Sequence, residues 1–272
     1  MGAATTASTV DGTVGGRTIA ERVLTRRNGL KIASLLVVFS MWELWGRANP
    51  FFASYPTAIA EAASRILFPE VLPAFLTTLW ALTVGMVLAI PIGMAFGFGL
   101  ARFRLLEVAL LPYMNAIYAT PRIALIPILV LWLGIAFELR VTIVILGAVF
   151  PIIINTYSGA KHMDSEMIDT GRAFMASERQ LLKTIIIPAT APFVFAGIRI
   201  GLGRGVSGVI VAEMTAALTG IGRILISHAK YLQIAEVFVG IMLLGLFSLV
   251  LMGGLVRAQR RLTPWDDAER AR

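Results

Sequence analysis

The sequence predicts an all-α, polytopic membrane protein with six transmembrane helices, on three observations. Of its 272 residues, 57% are hydrophobic and only 15% charged, against about 45–50% and 25% in a typical soluble domain. So little charge cannot cover a water-soluble fold of this size. Six apolar stretches account for more than half the chain, most of them long enough to cross the hydrocarbon, which takes about 20 residues. The net charge of +8 fits the bias for Lys and Arg on the cytoplasmic side of a membrane better than it fits a nucleic-acid partner.

Taken in order, residues 1–28 are rich in Ala, Thr and Gly and turn basic at Arg17, Arg22, Arg26 and Arg27. They read as a disordered cytoplasmic tail. The run from Ile32 to Trp42 follows arginines, like the apolar core of a secretory signal. It extends through Leu44-Trp45 to Arg47 with no clear A-x-A site close behind, so it reads as an uncleaved signal-anchor and first span. Residues 54–68, with Ile59, Ala63, Ile66 and Leu67 at helical spacing after a Pro start, predict a short interfacial helix. Further spans are predicted at about 75–101, 105–134, 141–158, 189–213 and 235–256, the one at 141–158 being short. The membrane domain is then 29–265, with a loop at 159–188 and a cytoplasmic tail at 266–272. The outer segment 214–234 has a mixed pattern that suits a path partly along the surface.

The stretch 105–134 is too long for one straight helix and contains Pro112, Pro121 and Pro127. It is either one bent crossing or a helical hairpin. A single crossing places sixteen of the 24 Lys and Arg on one side and five on the other, with Arg122, Arg199 and Arg204 inside spans. A double crossing abolishes the asymmetry. The positive-inside rule therefore favours six spans with both ends in the cytoplasm.

Composition also excludes chemistries. There are no cysteines and only two histidines, so no disulfide, thiolate or metal site is expected, and no catalytic group is visible. The tails and loops leave too little chain for a fused ATPase or enzyme with its own core. Glu43, Glu107, Glu138, Glu213 and Glu236 fall near span ends, and no Asp, Lys or His sits mid-span. A proton relay needs such groups at the midplane, so uphill transport by this chain requires energy from another. Arg199 and Arg204 lie in the fifth span; either they face a polar pathway, meeting an anion or Glu213, or they snorkel and pair as structural charges. The G-x-G-x-x-G at Gly203, Gly205 and Gly208 lies within one apolar helical segment instead of a strand-to-helix turn. Like Gly93 and Gly97, these glycines are expected to permit close helix contact.

The loop 159–188 is dense in charge yet keeps an apolar stripe. Met163, Met167 and Phe174 follow at i, i+4 and i+11, with Ile168 and Met175 alongside. An amphipathic helix around Asp164–Met175 either docks into a groove on a partner or lies on the bilayer or on the protein's own span ends.

This loop resembles the EAA segment of ATP-binding-cassette importer permeases: E-A-A, three residues, Gly, nine residues, Ile, one residue, Leu-Pro. Asp169-Thr170-Gly171 stand at E-A-A, Met175 at the Gly, Ile185 at the Ile and Ile187-Pro188 at Leu-Pro. Met resists the positive φ that Gly permits, so a differently shaped turn is expected after the helix. Other stretches resemble the nitrate/sulfonate/taurine/bicarbonate branch of these permeases. They are Trp42-Glu43-Leu44-Trp45 with Tyr55-Pro56-Thr57; Pro121 through Pro127 with Leu131-Trp132-Leu133-Gly134-Ile135; and Phe150-Pro151 with Asn155-Thr156-Tyr157-Ser158-Gly159. Gly197-Ile198-Arg199, Gly203-Arg204 and Val211-Ala212-Glu213-Met214 complete the set.

The resemblance implies the fold of a type I ABC importer permease in the bacterial inner membrane. It implies a homodimer of permeases on two ABC ATPase subunits that bind ATP and Mg, fed by an external solute-binding protein, with no cofactor in this chain and no nucleic acid. The residues expected to couple to the ATPase are Met163, Met167, Ile168, Asp169, Gly171, Arg172, Phe174 and Met175. Those expected along the solute pathway are Arg199, Arg204 and Glu213, suiting a small anion. The rival readings are an autonomous carrier or channel, a membrane-embedded lipid enzyme, and an importer of another solute such as an aromatic acid or vitamin precursor.

Overall fold

The computed structural model describes residues 19–49, 53–163, 165–216 and 219–265. Most of the expected N-terminal tail, Asp164 and the tail from residue 266 lie outside them. The chain divides into two units, up to Thr57 and from Ala58 onward.

In the first unit, α1 (Ile19–Ala48) is helical from within the stretch assigned above to the tail, and its apolar part is Gly29–Ala48. Trp42 Nε1 donates to the Ser54 carbonyl at 2.8 Å. The Glu43 carboxylate accepts from the Thr57 N–H (3.1 Å), the Thr57 hydroxyl (2.6 Å) and Arg47 Nε (2.7 Å). The Trp-Glu and Tyr-Pro-Thr stretches, ten residues apart, thus form one clasp. Glu43 satisfies one orphan N–H, that of Thr57, at the start of α2 (Pro56–Ile66).

In the second unit, α2 passes through a π turn at Leu67–Val71 into α3 (Leu72–Arg102). The helical run Pro56–Arg102 is continuous over 47 residues. Next come α4 (Arg104–Ala119), a 3₁₀ turn at Arg122–Leu125 and α5 (Ile126–Leu133). Thr120, held extended by the proline after it, breaks this stretch, and the two pieces meet at 88°. Gly134 ends α5 at φ 68°, ψ −171°, a conformation open essentially to glycine alone.

The following helix, α6 (Phe137–Lys161), has 25 residues, so the span that looked short in sequence is of full length. Its first turn carries Glu138 and Arg140, polar residues that hid it. After α7 (Ser165–Ala173) and α8 (Glu178–Leu181), a π turn at Leu182–Ile186 leads into α9 (Ile187–Ala216). Pro188 removes an N–H and crowds the carbonyl four residues back, which widens that turn. Then α10 (Ile221–Lys230), amphipathic with Ile221, Ile224 and Leu225 buried, precedes α11 (Ile234–Leu262). Among the described residues, five helical runs are long and apolar enough to span a membrane, and the bent α4–α5 pair makes a sixth if it counts as one span.

The core is α6 flanked by α3 and α9. A Cβ at Gly85, Gly93 or Gly97 would lie 2.5–2.6 Å from Val144, Ile152 or Thr156, and one at Gly201 would lie 3.0 Å from the Ala148 backbone. Where lipid offers no hydrophobic drive between helices, such small residues let backbones approach and gain dispersion contact. Gly205 and Gly208 meet Val144 and Ile143 in the same way, whereas Gly203 is open. Leu246, Leu249 and Val250 on α11 are exposed, as hydrocarbon-facing residues are.

Candidate functional site

Midway along α9, a cavity of about 850 Å³ opens between α9, α6 and the α4–α5 bend, within the size range of small-molecule sites. Its wall is mostly apolar, with Ile123, Ile126, Leu129, Ile143 and Ile200, and it carries three cations: Arg122, Arg199 and Arg204. Among the described residues, no carboxylate lines it. The guanidinium of Arg204 stacks over the Tyr118 ring, 4.3 Å from its centroid. Arg199 Nη2 donates to Gln259 Oε1 of α11 at 2.9 Å. Arg122 Nη1 donates to the carbonyls of Leu146 and Gly147, both at 3.2 Å. The Gly147 carbonyl lacks its helical donor because Pro151 has no N–H. Arg122 thereby joins the Pro121–Pro127 stretch to the turn of α6 just before Pro151. Sequence reasoning left Arg122 out of the site, although an arginine midway between two prolines of an apolar stretch was the signal.

The structure does not bring Glu213 to this cavity or to either arginine of α9. Its side chain is 1% exposed at the far end of α9. It accepts from the Thr78 hydroxyl of α3 at 2.9 Å and from the Gly222 N–H at 3.0 Å. The Thr78 oxygen in turn accepts from the Ile221 N–H at 2.9 Å, and Arg140 Nη1 lies 3.5 Å from the carboxylate. Glu213 is therefore the anion at the N-terminus of α10, where unpaired N–H groups and the helix dipole favour negative charge. Gly220, at φ 89°, makes room: a Cβ there would strike the carboxylate.

At the opposite end of the bundle lies α7. It is shorter than the apolar stripe: Met163 precedes it, while Phe174 and Met175 follow, so the stripe is not one helical face. Phe174 is 83% and Met175 93% exposed, and Met167 is exposed beside them. Met163 and Ile168 are half-buried. Gly171 is buried; a Cβ on it would meet the side-chain ends of Leu181 (2.5 Å) and Ile185 (2.8 Å). Asp169 and Glu178 approach Arg172 at 3.8 Å, and Arg102 at the end of α3 reaches Glu178 at 3.3 Å. Nearby, Lys161 Nζ (2.6 Å) and the Tyr157 hydroxyl (2.8 Å) donate to Glu107, tying α4 to α6.

The expectation that Met175 would reshape the turn fails. Met175 takes φ 56°, the left-handed conformation a glycine would adopt. The Ala176 N–H reaches the Gly171 carbonyl (3.1 Å) and the Met175 N–H the Arg172 carbonyl (2.8 Å), the Schellman pattern of a helix end. Ser177 and Gln180 then form a capping box that starts α8. The helix end and the new cap over-determine the turn and hold Met in it at a cost of about 1–2 kcal/mol.

The family model described as "Binding-protein-dependent transport system inner membrane component" matches residues 89–264. The chain belongs to this family. It is a multi-pass ABC transporter permease subunit. The taurine transport system permease protein TauC of Escherichia coli (strain K12) is 30% identical to it over 260 residues, covering 89% of this chain and 91% of the relative. The putative aliphatic sulfonates transport permease protein SsuC of Bacillus subtilis (strain 168) is 24% identical over 85% of this chain and 86% of its own. The formylaminopyrimidine transport permease protein ThiX of Halalkalibacterium halodurans is 29% identical over 85% of this chain and 93% of its own.

For the permease, the α7 turn yields a direct expectation. Met175→Gly relieves the left-handed strain and stabilises the helix end by about 1 kcal/mol. A rise in the thermal midpoint of the detergent-solubilised permease checks it; a fall means the Met175 side chain makes a contact worth more than the strain.

Proposed function

We propose that this permease imports a small anion of the sulfonate type. It sits in the bacterial inner membrane as a homodimer with both termini cytoplasmic, on two ABC ATPase subunits, and receives solute from an external binding protein. The observation that carries the solute class is the cavity whose only charges, among the described residues, are Arg122, Arg199 and Arg204. Unpaired cations in an apolar wall favour an anionic guest. The taurine and sulfonate names of relatives support the same class.

In this mechanism ATP closes the ATPase dimer, carrying α7 with it through Met167 and Phe174. Gly171 seats α7 on Leu181 and Ile185 at the foot of α9, and Arg102–Glu178–Arg172 links the same point to α3. Because α3, α6 and α9 touch almost backbone to backbone, a push at their foot moves them as a block. The cavity then changes the side to which it opens. Hydrolysis of ATP takes place in the partner and solute release on the cytoplasmic side.

The test is reconstitution of the permease with its ATPase and binding protein in liposomes. Uptake of taurine or ethanesulfonate is expected only when ATP, ATPase and binding protein are all present. Uptake by the permease alone points to an autonomous carrier, and ATP-driven uptake of neutral or cationic solutes only overturns the anion assignment.

A further inference from the structure

We propose that Arg122 and Arg204 are the pair that grips the solute's anionic head, with Arg122 held ready by two carbonyls of α6. The inference rests on the transport reading above and deepens it by naming the specificity-determining residues and the head group they take. Three observations carry it. First, none of the three cavity arginines has a carboxylate partner among the described residues. Three uncompensated cations in an apolar wall are costly unless a guest offsets them.

Second, the three differ in what already occupies them. Arg199 is exposed and turned to Gln259 on α11. Arg204 is half-buried and, among the described residues, engages only the face of Tyr118, which leaves the N–H edges of its guanidinium for an acceptor. Arg122 is half-buried and uses a single nitrogen, Nη1, on the Leu146 and Gly147 carbonyls. Its remaining nitrogens stay available on the same planar fork, the geometry that binds oxyanions with two parallel hydrogen bonds.

Third, Arg122 and Arg204 line the same cavity, so one oxyanion bound there serves to offset both charges. The neutral carbonyls steer Arg122 without cancelling its charge. The apolar residues Ile123, Ile126 and Leu129 beside the pair suit a compact hydrocarbon tail. A small monoanionic sulfonate or carboxylate fits this arrangement, and a cation or a neutral isostere does not.

The test uses the purified permease–ATPase complex in detergent, following its thermal midpoint with ethanesulfonate and with ethyl methyl sulfone, an uncharged counterpart of similar size. Ethanesulfonate is expected to raise the midpoint and the sulfone to leave it unchanged. Arg122→Gln and Arg204→Gln each raise the sulfonate concentration needed by about tenfold or more, the loss of one charge-assisted bond, whereas Arg199→Gln, whose guanidinium is turned to Gln259, raises it less. Arg122→Lys keeps a donor for the Gly147 carbonyl but loses the fork, so it folds even if the glutamine variant does not, and it shows the same weakening. Arg204→Gln leaves the Arg122 bonds in place and must weaken sulfonate as well. An unchanged response in Arg122→Lys or Arg204→Gln, an equal shift from the sulfone, or no shift in the wild type overturns the assignment. Retention of the ATPase is read on the same samples: retained ATPase with no sulfonate response sinks the arginine pair alone, and absent ATPase sinks the transport reading.

Discussion

Phe174→Asp is expected to strip the ATPase from the permease and abolish ATP-driven uptake while the helical bundle remains folded. Phe174 is 83% exposed just past the end of α7, and Met167 stands exposed seven residues before it. An aromatic ring held in water at the tip of a short helix gains about 1.5–3 kcal/mol on burial in a partner's groove. Replacing it by a carboxylate forfeits that gain and adds the cost of desolvating a charge. Residues of this kind commonly cost 2 kcal/mol or more when truncated, which lowers affinity about 30-fold, and two copies of α7 in the proposed homodimer compound the effect. Because the side chain is 83% exposed, the permease's elution profile and thermal midpoint should not move. Met167→Asp is expected to act in the same direction. Co-purification of tagged permease with the ATPase reads the result, and an ATPase that stays bound to both variants places the docking surface elsewhere.

Gly201→Leu has the largest expected effect on the fold itself. A Cβ at this position would lie 3.0 Å from both the Cα and the carbonyl oxygen of Ala148. Those are backbone atoms of α6 and cannot rotate away as a side-chain end can. The leucine must therefore push α9 off α6, losing the dispersion contacts that hold helices together in lipid. Overpacking in a core costs about 1–3 kcal/mol when side chains can adjust, and here they cannot, so aggregation or a large fall in thermal midpoint is expected. Gly245→Leu on α11 is the matched control, because nothing lies within 4 Å of a Cβ there. Fluorescence-detected size exclusion of the two variants separates them. Wild-type stability in Gly201→Leu would mean that the α6–α9 contact is far looser than its glycines indicate.

Gly171 shows the milder case. A Cβ there meets only the flexible ends of Leu181 and Ile185, so an alanine fits with small side-chain shifts. The motif position that resembles the last Ala of E-A-A therefore accommodates Gly or Ala here.

Several features were legible in the residues alone. The all-helical membrane fold followed from composition, and the break in 105–134 from its prolines. Of the glycines read as contact points, Gly93, Gly97, Gly205 and Gly208 meet α6, whereas Gly203 lines the cavity. What misled was polarity at helix ends. Glu138 and Arg140 masked the first turn of α6, and Glu213 looked like a pathway residue because the backbone N–H it serves belongs to a different helix. Met175 misled for a related reason: propensity disfavours a left-handed methionine, and only the consecutive Schellman turn and capping box hold it there.

By itself, then, the sequence determined which segments are apolar enough to cross a membrane and which family pattern they follow. Both depend on local composition and spacing, and water and hydrocarbon sort residues one segment at a time. Only the tertiary structure decided that Arg122, Arg199 and Arg204 share one cavity while Glu213 caps a distant helix. Those groupings depend on how α4, α6 and α9 lie side by side. Residues more than seventy positions apart in the chain meet through that packing and through the carbonyl left free by Pro151, and no local spacing encodes either.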